Sequence, residues 1–354
     1  MICTMHVYIC SMHTQRVAGY SAAVAALITA AACASCGGGA PPGHGPGHRS
    51  TAHRATGHGV PSAGNQASHP PAGLRAIAVA ASPDPVAYSH GSIWVGHYGP
   101  DIVERINPGT GRVIARVRTG GSPIWIEGDR RWVWVANYDS ATVSRINPRT
   151  NRVTATVPVG AEPEGLAIAA GSVWTSNHGD GTLSRIDERT GRRLASVHIG
   201  GQPVYLSAHG TTLWVTNSDE AAGPLHKLQK IDARTGRIVH TVSIGHQPVH
   251  AIEAYGAVWV TDYFDGAVYR LNPHTLRQTA RISIGGAPDP LYPYAHRLWV
   301  GDDAGLTITP INPQANRAGP AITLPGTTRN MTSTPGSLWI AGYADSVIYQ
   351  VPVR

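Results

Sequence analysis

The chain has 354 residues, of which 41 are Gly and 27 are Pro, and only 14% of its residues are charged. Gly and Pro at this density interrupt regular helices, so the composition excludes a mainly helical protein. Basic residues outnumber acidic ones by 28 to 21, and the formal charge of +7 raises the question of an anionic partner such as nucleic acid. All four cysteines lie within the first 36 residues, which excludes a disulfide framework and a Cys-ligated metal in the rest of the chain.

The first 36 residues have the layout of a targeting segment. A run of small apolar residues over 17–34 follows Arg16, Ser35 and Cys36 come directly after the run, and no acidic residue precedes position 84. This layout resembles a bacterial lipoprotein signal. In such signals the cysteine is lipidated and becomes the first mature residue, so we predict a signal peptide over 1–36 with lipidation at Cys36. Cys33 stands where the lipoprotein pattern has a Leu-like residue, so lipidation at Cys33, secretory cleavage after Ala34 and an uncleaved anchor stay open. The predicted location is extracytoplasmic, either lipid-anchored at the bacterial cell membrane or secreted.

Residues 37–72 form a segment rich in Gly, Pro, His and Ser, without acidic or aromatic residues. Such a segment cannot bury enough apolar area to offset its ordering entropy, so we predict a disordered linker. Its histidines are loose candidates for a metal, although their Gly and Pro neighbours preorganise no site. These histidines are His44, His48, His53, His58 and His69.

Beyond the linker, a Trp recurs with spacings of 40, 40, 40, 45, 40 and 40 residues. The seven positions are Trp94, Trp134, Trp174, Trp214, Trp259, Trp299 and Trp339. A Pro precedes the Trp by eleven residues in six repeats, and Thr328 replaces it in the last. Each unit, as in residues 163–200, contains four short strand signals separated by Gly, Asn, Asp and Pro turns, which is typical of a propeller blade. The longer spacing predicts an insertion near 221–225, between the second and third strands of the fourth blade.

The two ends of the repeat region complement each other. After Trp339 there is room for one more strand, at 346–353, so the seventh unit lacks its fourth strand. The segment 74–81 has the pattern of a fourth strand and would pair with 346–353, closing the ring and covering two edges. We therefore predict an all-β, seven-bladed propeller of four-stranded blades over 73–354, and we expect a monomer.

Residues 134–160, WVANYDSATVSRINPRTNRVTATVPVG, resemble the YVTN repeat of bacterial secreted and surface-layer-type β-propellers. The resemblance implies a shared scaffold rather than a shared chemistry, and it favours a ligand- or protein-binding module at the cell surface. Virginiamycin B lyase-type propellers are similar in blade spacing. This similarity implies an alternative function, an enzyme with its site at the propeller mouth. The enzyme would be a streptogramin lyase-like protein or another hydrolase or lyase.

Basic residues recur at two repeat positions, eleven and eighteen residues after the Trp. The first series contains Arg105, Arg145, Arg185, Arg270 and, shifted by the insertion, Lys230. We interpret both series as a solvated outer rim with apolar stems. Because this charge is spread around a ring rather than concentrated in a stripe, a nucleic-acid-binding propeller is the second alternative, and we expect no nucleic-acid partner.

Two loop sets should open on one face around the central channel, where propellers commonly bind ligands. They are the residues just after each Pro and those three and four positions after each Trp. Aromatic rings there would suit a small molecule, a glycan or a peptide of a protein partner. The candidate ligand-binding residues are Asp84, Tyr98, Trp125, Tyr138, Glu164, His178, Tyr205, His250, Tyr263, Asp289, Asp303, Arg329 and Tyr343.

Similarity to the lyase-type propellers implies a general-base His after the loop Pro and a metal-associated Glu four residues after the Trp. No repeat has that pair: the third has Glu164 and His178 exchanged, and His250 lies one place late. These three residues are therefore the candidate catalytic groups for the enzyme alternative. Asp289, Asp302 and Asp303 are candidate ligands for a divalent cation, with a solvated acidic turn as the other interpretation. No further cofactor is predicted.

Overall fold

A computed structural model describes residues 72–217, 226–303 and 305–353, which form seven antiparallel sheets arranged as propeller blades. Blades one to three contain β2 Pro83–Ser89, β3 Ser92–His97, β4 Ile102–Ile106, β5 Val113–Arg118, β6 Pro123–Gly128, β7 Val133–Asn137, β8 Thr142–Asn147, β9 Arg152–Pro158, β10 Pro163–Ala169, β11 Ser172–Asn177, β12 Thr182–Asp187 and β13 Arg193–His198. One 3-10 turn, His178–Asp180, lies between β11 and β12.

Blades four to six contain β14 Pro203–His209, β15 Thr212–Asn217, β16 Lys227–Asp232, β17 Ile238–Ser243, β18 Pro248–Ala254, β19 Ala257–Asp262, β20 Ala267–Leu271, β21 Gln278–Ser283, β22 Pro288–Tyr294, β23 Arg297–Asp302, β24 Thr307–Asn312, β25 Arg317–Ala318 and β26 Ile322–Thr323. Blade seven contains β27 Met331–Thr334, β28 Ser337–Gly342, β29 Val347–Pro352 and β1 Arg75–Ala78. The prediction of an all-β, seven-bladed propeller is confirmed.

The closing strand β1 pairs antiparallel with β29, with Ile77 opposite Ile348. Alternation along β1 buries Ile77 in a cluster with Ile93 and Trp339, while the flanking residues of the strand are exposed. The predicted closure of the seventh blade by the amino-terminal strand is therefore confirmed. An open β29 edge would otherwise present unpaired backbone groups.

The repeated Trp residues form the core between blades. Six of the seven indoles are fully buried, and Trp299 is 4% exposed. The clusters join neighbouring sheets: Trp174 of blade three packs with Leu206, Leu213 and Ile231 of blade four. Because each blade buries its Trp against the next, the sequence period also sets the spacing of the core.

The basic residues eleven positions after the Trp connect neighbouring blades, and this corrects their interpretation as a solvated rim. Arg185 lies 5.3 Å from the Trp174 ring centroid and donates to the carbonyl of Arg234 in the next blade at 2.8 Å. Lys230 donates likewise to the carbonyl of Pro273 at 2.8 Å. The five side chains that make such a bridge are half-buried; they are Arg105, Arg145, Arg185, Lys230 and Arg270.

Arg75 supplies the corresponding bridge from the seventh blade to the first. Gln350 occupies the position of the bridging cation on β29, and Arg75 on β1 donates to its side-chain oxygen at 3.0 Å. The same guanidinium donates to the Thr110 carbonyl of blade one at 3.3 Å. The strand β1 thus provides both the fourth strand of the seventh blade and the cation that bridges this blade to the first.

The sixth blade departs from the repeat. Its outer strand is divided into β25 and β26, which both pair with β24. Gly319 and Pro320 lie between them, and proline removes a backbone donor that a continuous strand would need.

Several sequence predictions fall outside the described residues: the signal peptide with Cys36, nearly all of the linker, and the insertion at 221–225 between β15 and β16. Within the described residues, no helix has the length and apolar character that a membrane crossing requires.

Candidate functional site

A β-bulge occurs at the start of the first strand in blades one to six. In blade two, Pro123 pairs with Asn137 but Trp125 pairs with Ala136, so the strand holds one residue more than its partner. Blades three and four have the same shift, and blades one, five and six shift over the next two residues. Bulges re-aim side chains, so the residues just after each Pro do not all face the same space.

Four predicted residues meet near the propeller axis, and we call them the axial cluster: Trp125, Tyr205, His250 and Asp289. The rings of Trp125 and Tyr205 are edge-to-face, with centroids 5.0 Å apart. Tyr205 stacks on His250 at 3.8 Å, and Trp125 lies 5.8 Å from the same imidazole. Three blades therefore contribute one aromatic wall.

His250 has both ring nitrogens engaged. Its Nε2 lies 3.1 Å from Asp289 Oδ1, and the Leu291 backbone N–H donates to Nδ1 at 3.4 Å. With Nδ1 accepting, a neutral imidazole carries its proton on Nε2, the nitrogen nearer Asp289. This arrangement positions His250 as a wall of the site and offers no ring nitrogen as a proton acceptor for a ligand.

Glu127 joins the axial cluster, and the sequence analysis missed it. Trp125 Nε1 donates to Glu127 Oε1 at 3.4 Å, because alternate residues of β6 share one face. Burial raises the pKa of the Glu127 carboxyl to about 7, although the Trp125 hydrogen bond opposes the shift. No ion pair involves Glu127 among the described residues.

A repeat comparison could have found Glu127. It lies four residues after the blade Pro, and it is the sole ionisable carboxyl at that position across the seven units. The corresponding residues are Ala87, Glu127, Ala167, Ser207, Ile252, Tyr292 and Thr332. A carboxyl in a series that is otherwise neutral indicates a local function rather than a scaffold requirement.

Trp125, Tyr205 and His250 of the axial cluster line a cavity of about 170 Å³ between the first strands of six blades. The cavity extends past Glu127 to Tyr88 and Tyr292, near the ends of β2 and β22. Tyr88 is 41% exposed and Tyr205 is buried. Burial, followed by the Glu127 and Asp289 charges, raises the pKa of Tyr205 beyond its usual range. The cavity therefore combines aromatic walls with a titratable carboxyl.

A second set of predicted residues forms a separate rim cluster, which we define as Tyr263, Asp303, Arg329 and Tyr343. Arg329 Nη1 lies 3.0 Å from Asp303 Oδ2, and its guanidinium lies 5.4 Å from the Tyr343 ring centroid. Burial, followed by the Asp303 charge, raises the pKa of Tyr263. These residues precede or follow strands of blades five to seven, at the predicted mouth.

The remaining predicted residues have varied surroundings. Tyr138 packs in the core with Trp134, Asp84 is buried, and Tyr98 is half-exposed. Glu164 is the bulged residue of β10, and the amide of His178 donates to the Glu162 carbonyl at 2.9 Å. No ion pair joins Glu164 to His178 among the residues that the structure describes.

The three predicted cation ligands have different surroundings. Asp289 faces His250, Asp303 faces Arg329, and Asp302 accepts the Ala287 amide at 2.9 Å. Across residues 72–217, 226–303 and 305–353, no group of three or more His, Cys, Asp or Glu side chains is suited to a metal ion. Asp302 thus has a turn-capping contact.

No family model and no curated protein matches the chain. Among solved structures, a streptogramin B lyase is similar over 79% of this chain and 97% of its own, with a TM-score of 0.68 and 14% identity. Hydrazine synthase of Kuenenia stuttgartiensis is similar over 77% and 96%, with a TM-score of 0.67 and 15% identity. At these identities the likeness shows the propeller fold and does not extend to chemistry.

Proposed function

We propose that this chain is an exported, lipid-anchored YVTN-type propeller that binds a small molecule in the cavity on its axis. The observation that carries the proposal is the aromatic wall of Trp125, Tyr205 and His250 beside the half-buried carboxyl of Glu127. Concave sites that combine aromatic walls with a few convergent polar groups are typical of small-molecule binding. The engaged nitrogens of His250 favour binding over proton transfer.

Replacing Trp125 with Leu tests the cavity as the binding site. In a ligand-observed NMR screen of metabolites, hits should lose affinity by about tenfold, since aromatic contacts contribute about 1 kcal/mol or more. Tyr255→Leu is the matched control, because Tyr255 lies in the turn after β18 and does not line the cavity. Hits that survive Trp125→Leu but vanish in Arg329→Ala would move the site to the rim cluster.

The chemical fate of the ligand distinguishes the lyase alternative from the binding proposal. We expect each hit, and streptogramin B as the substrate class of the structural neighbour, to be recovered intact by mass spectrometry after incubation with divalent cations. A cleaved product that disappears in His178→Ala or His250→Ala would replace the binding proposal with the enzyme alternative.

Lipid attachment is tested by labelling cells with an alkyne-tagged fatty acid. The wild-type chain should carry the label and fractionate with membranes, whereas Cys36→Ala should lose both properties, because the thiol is the lipidation site in the proposed signal. Cys33→Ala is the matched control and should retain the label. Loss of label in Cys33→Ala alone would move the anchor to that residue, and an unlabelled wild type would contradict anchoring.

A further inference from the structure

The charged side chain that lines the cavity without an ion-pair partner is acidic. Among its described lining residues there is no Lys or Arg, and the imidazole of His250 is paired with Asp289. Glu127 is the lining carboxyl without an ion-pair partner in the described chain. An anionic ligand would meet repulsion and no compensating cation, whereas a positive ligand would complete the ion pair that Glu127 lacks.

The rings around this carboxyl favour the same sign of charge. Tyr88, Trp125, Tyr205 and Tyr292 line the cavity from blades one, two, four and six. Aromatic faces attract cations through the ring quadrupole, and several rings around one site are the usual means of holding an ammonium group. The volume of about 170 Å³ corresponds to about five or six water volumes, which suits a ligand head of only a few heavy atoms.

We propose that the axial cavity binds a small organic monocation, with Glu127 as the counter-ion and the surrounding aromatic rings as its cage. This inference rests on the proposed function and names the ligand class for the same cavity. Ammonium groups, rather than phosphates or carboxylates, are the chemistry that this lining recognises.

Binding should depend on pH through Glu127. Because the pKa of this carboxyl is about 7 in the free protein, the counter-ion is mostly protonated at pH 6 and mostly ionised at pH 8. The titratable groups that share the cavity are Tyr88, Tyr205, Tyr292 and the His250–Asp289 pair. The affinity for a permanent cation should therefore rise about tenfold from pH 6 to pH 8.

The test uses choline and its uncharged carbon isostere, 3,3-dimethylbutan-1-ol, in calorimetric titrations of the folded protein. Wild type should bind choline at least about tenfold more tightly than the isostere at pH 8, a difference of about 1.4 kcal/mol. Glu127→Gln should lose this preference while its affinity for the isostere stays unchanged. Glu188→Gln, in the turn after β12, is the matched control and should keep the preference.

Equal affinity for the two probes, or no binding of choline, would overturn the cation inference. If the uncharged isostere still bound and this binding depended on Trp125, the proposal of a small-molecule cavity would stand. The cation inference can therefore fail without the proposed function failing. If Glu127→Gln does not fold, the pH series on wild type decides the matter. A choline affinity that stays constant from pH 6 to pH 8 would exclude Glu127 as the counter-ion.

Discussion

Ile77→Asp is expected to lower the free energy of unfolding by about 4 kcal/mol, because it places a carboxylate in the apolar contact between the first and last blades. Ile77 is 8% exposed and packs with Val86, Ile93 and Trp339. Urea unfolding followed by tryptophan fluorescence measures the change, since the repeated indoles report on the blade contacts.

Ala78→Asp is the matched control for this prediction. Ala78 is the next residue of β1 and points to solvent, so the same charge should change the free energy of unfolding by less than about 0.5 kcal/mol. Similar effects of the two substitutions would mean that β1 does not close the ring as described. Size-exclusion chromatography should also show self-association of Ile77→Asp, because an uncovered β29 edge invites intermolecular pairing.

Glu104→Leu is expected to cost about 3–5 kcal/mol, because it removes the centre of a buried polar network. Glu104 is fully buried and accepts from the Ala80 amide at 3.1 Å and from Arg116 Nε at 2.8 Å. His97 Nε2 lies 3.3 Å from the same carboxylate, while its Nδ1 lies 3.1 Å from the Ala81 carbonyl. The network therefore ties the segment after β1 to blade one.

Ser144→Ala is the matched control, because Ser144 occupies the position of Glu104 in the second blade. Its hydroxyl accepts one hydrogen bond from Asn137 at 2.9 Å, so its loss should cost about 1 kcal/mol. Equal losses in thermal or urea unfolding would show that Glu104 has no special part in closure.

Acid should weaken the same network in the wild type. Burial by itself would raise the pKa of Glu104, but the hydrogen bonds from His97 and Ala80 outweigh it and hold the pKa below the ordinary 4.5. The carboxylate therefore stabilises the fold above pH 4.5, and this contribution is lost as the pH falls through the lowered value. The stability difference between wild type and Glu104→Leu should shrink below pH 4.5, and a constant difference would contradict the assignment.

The sequence predicted the scaffold because its determinants are local or periodic. The Trp repeat sets the blade spacing, and the Asn or Asp that opens each turn between the third and fourth strands accepts the following amides, as Asn107 does from Gly109 and Thr110 at 3.0 Å. The role of β1 followed from counting strands in the last unit. These features need no knowledge of which blades lie opposite one another.

The candidate site was predicted only in part. Trp125, Tyr205, His250 and Asp289 come together, but Arg329 and Asp303 form a separate cluster, and Tyr138 enters the core. The bulge after each loop Pro changes which side chains face the axis, and a one-residue shift reverses the face of a strand. Repeat spacing alone does not specify where this bulge falls along the first strand of a blade.

The sequence by itself determined the number of blades, the closing strand and the turns, since each follows from a spacing of about 40 residues or from a nearby side chain. Only the tertiary structure decided that the cations that follow five of the seven Trp residues bridge neighbouring blades, as Arg185 does to Arg234. It also decided that Glu127 shares a cavity with rings from other blades. The physical reason is that closing the ring brings residues of distant repeats into contact, and burial in that contact raises the pKa of Glu127.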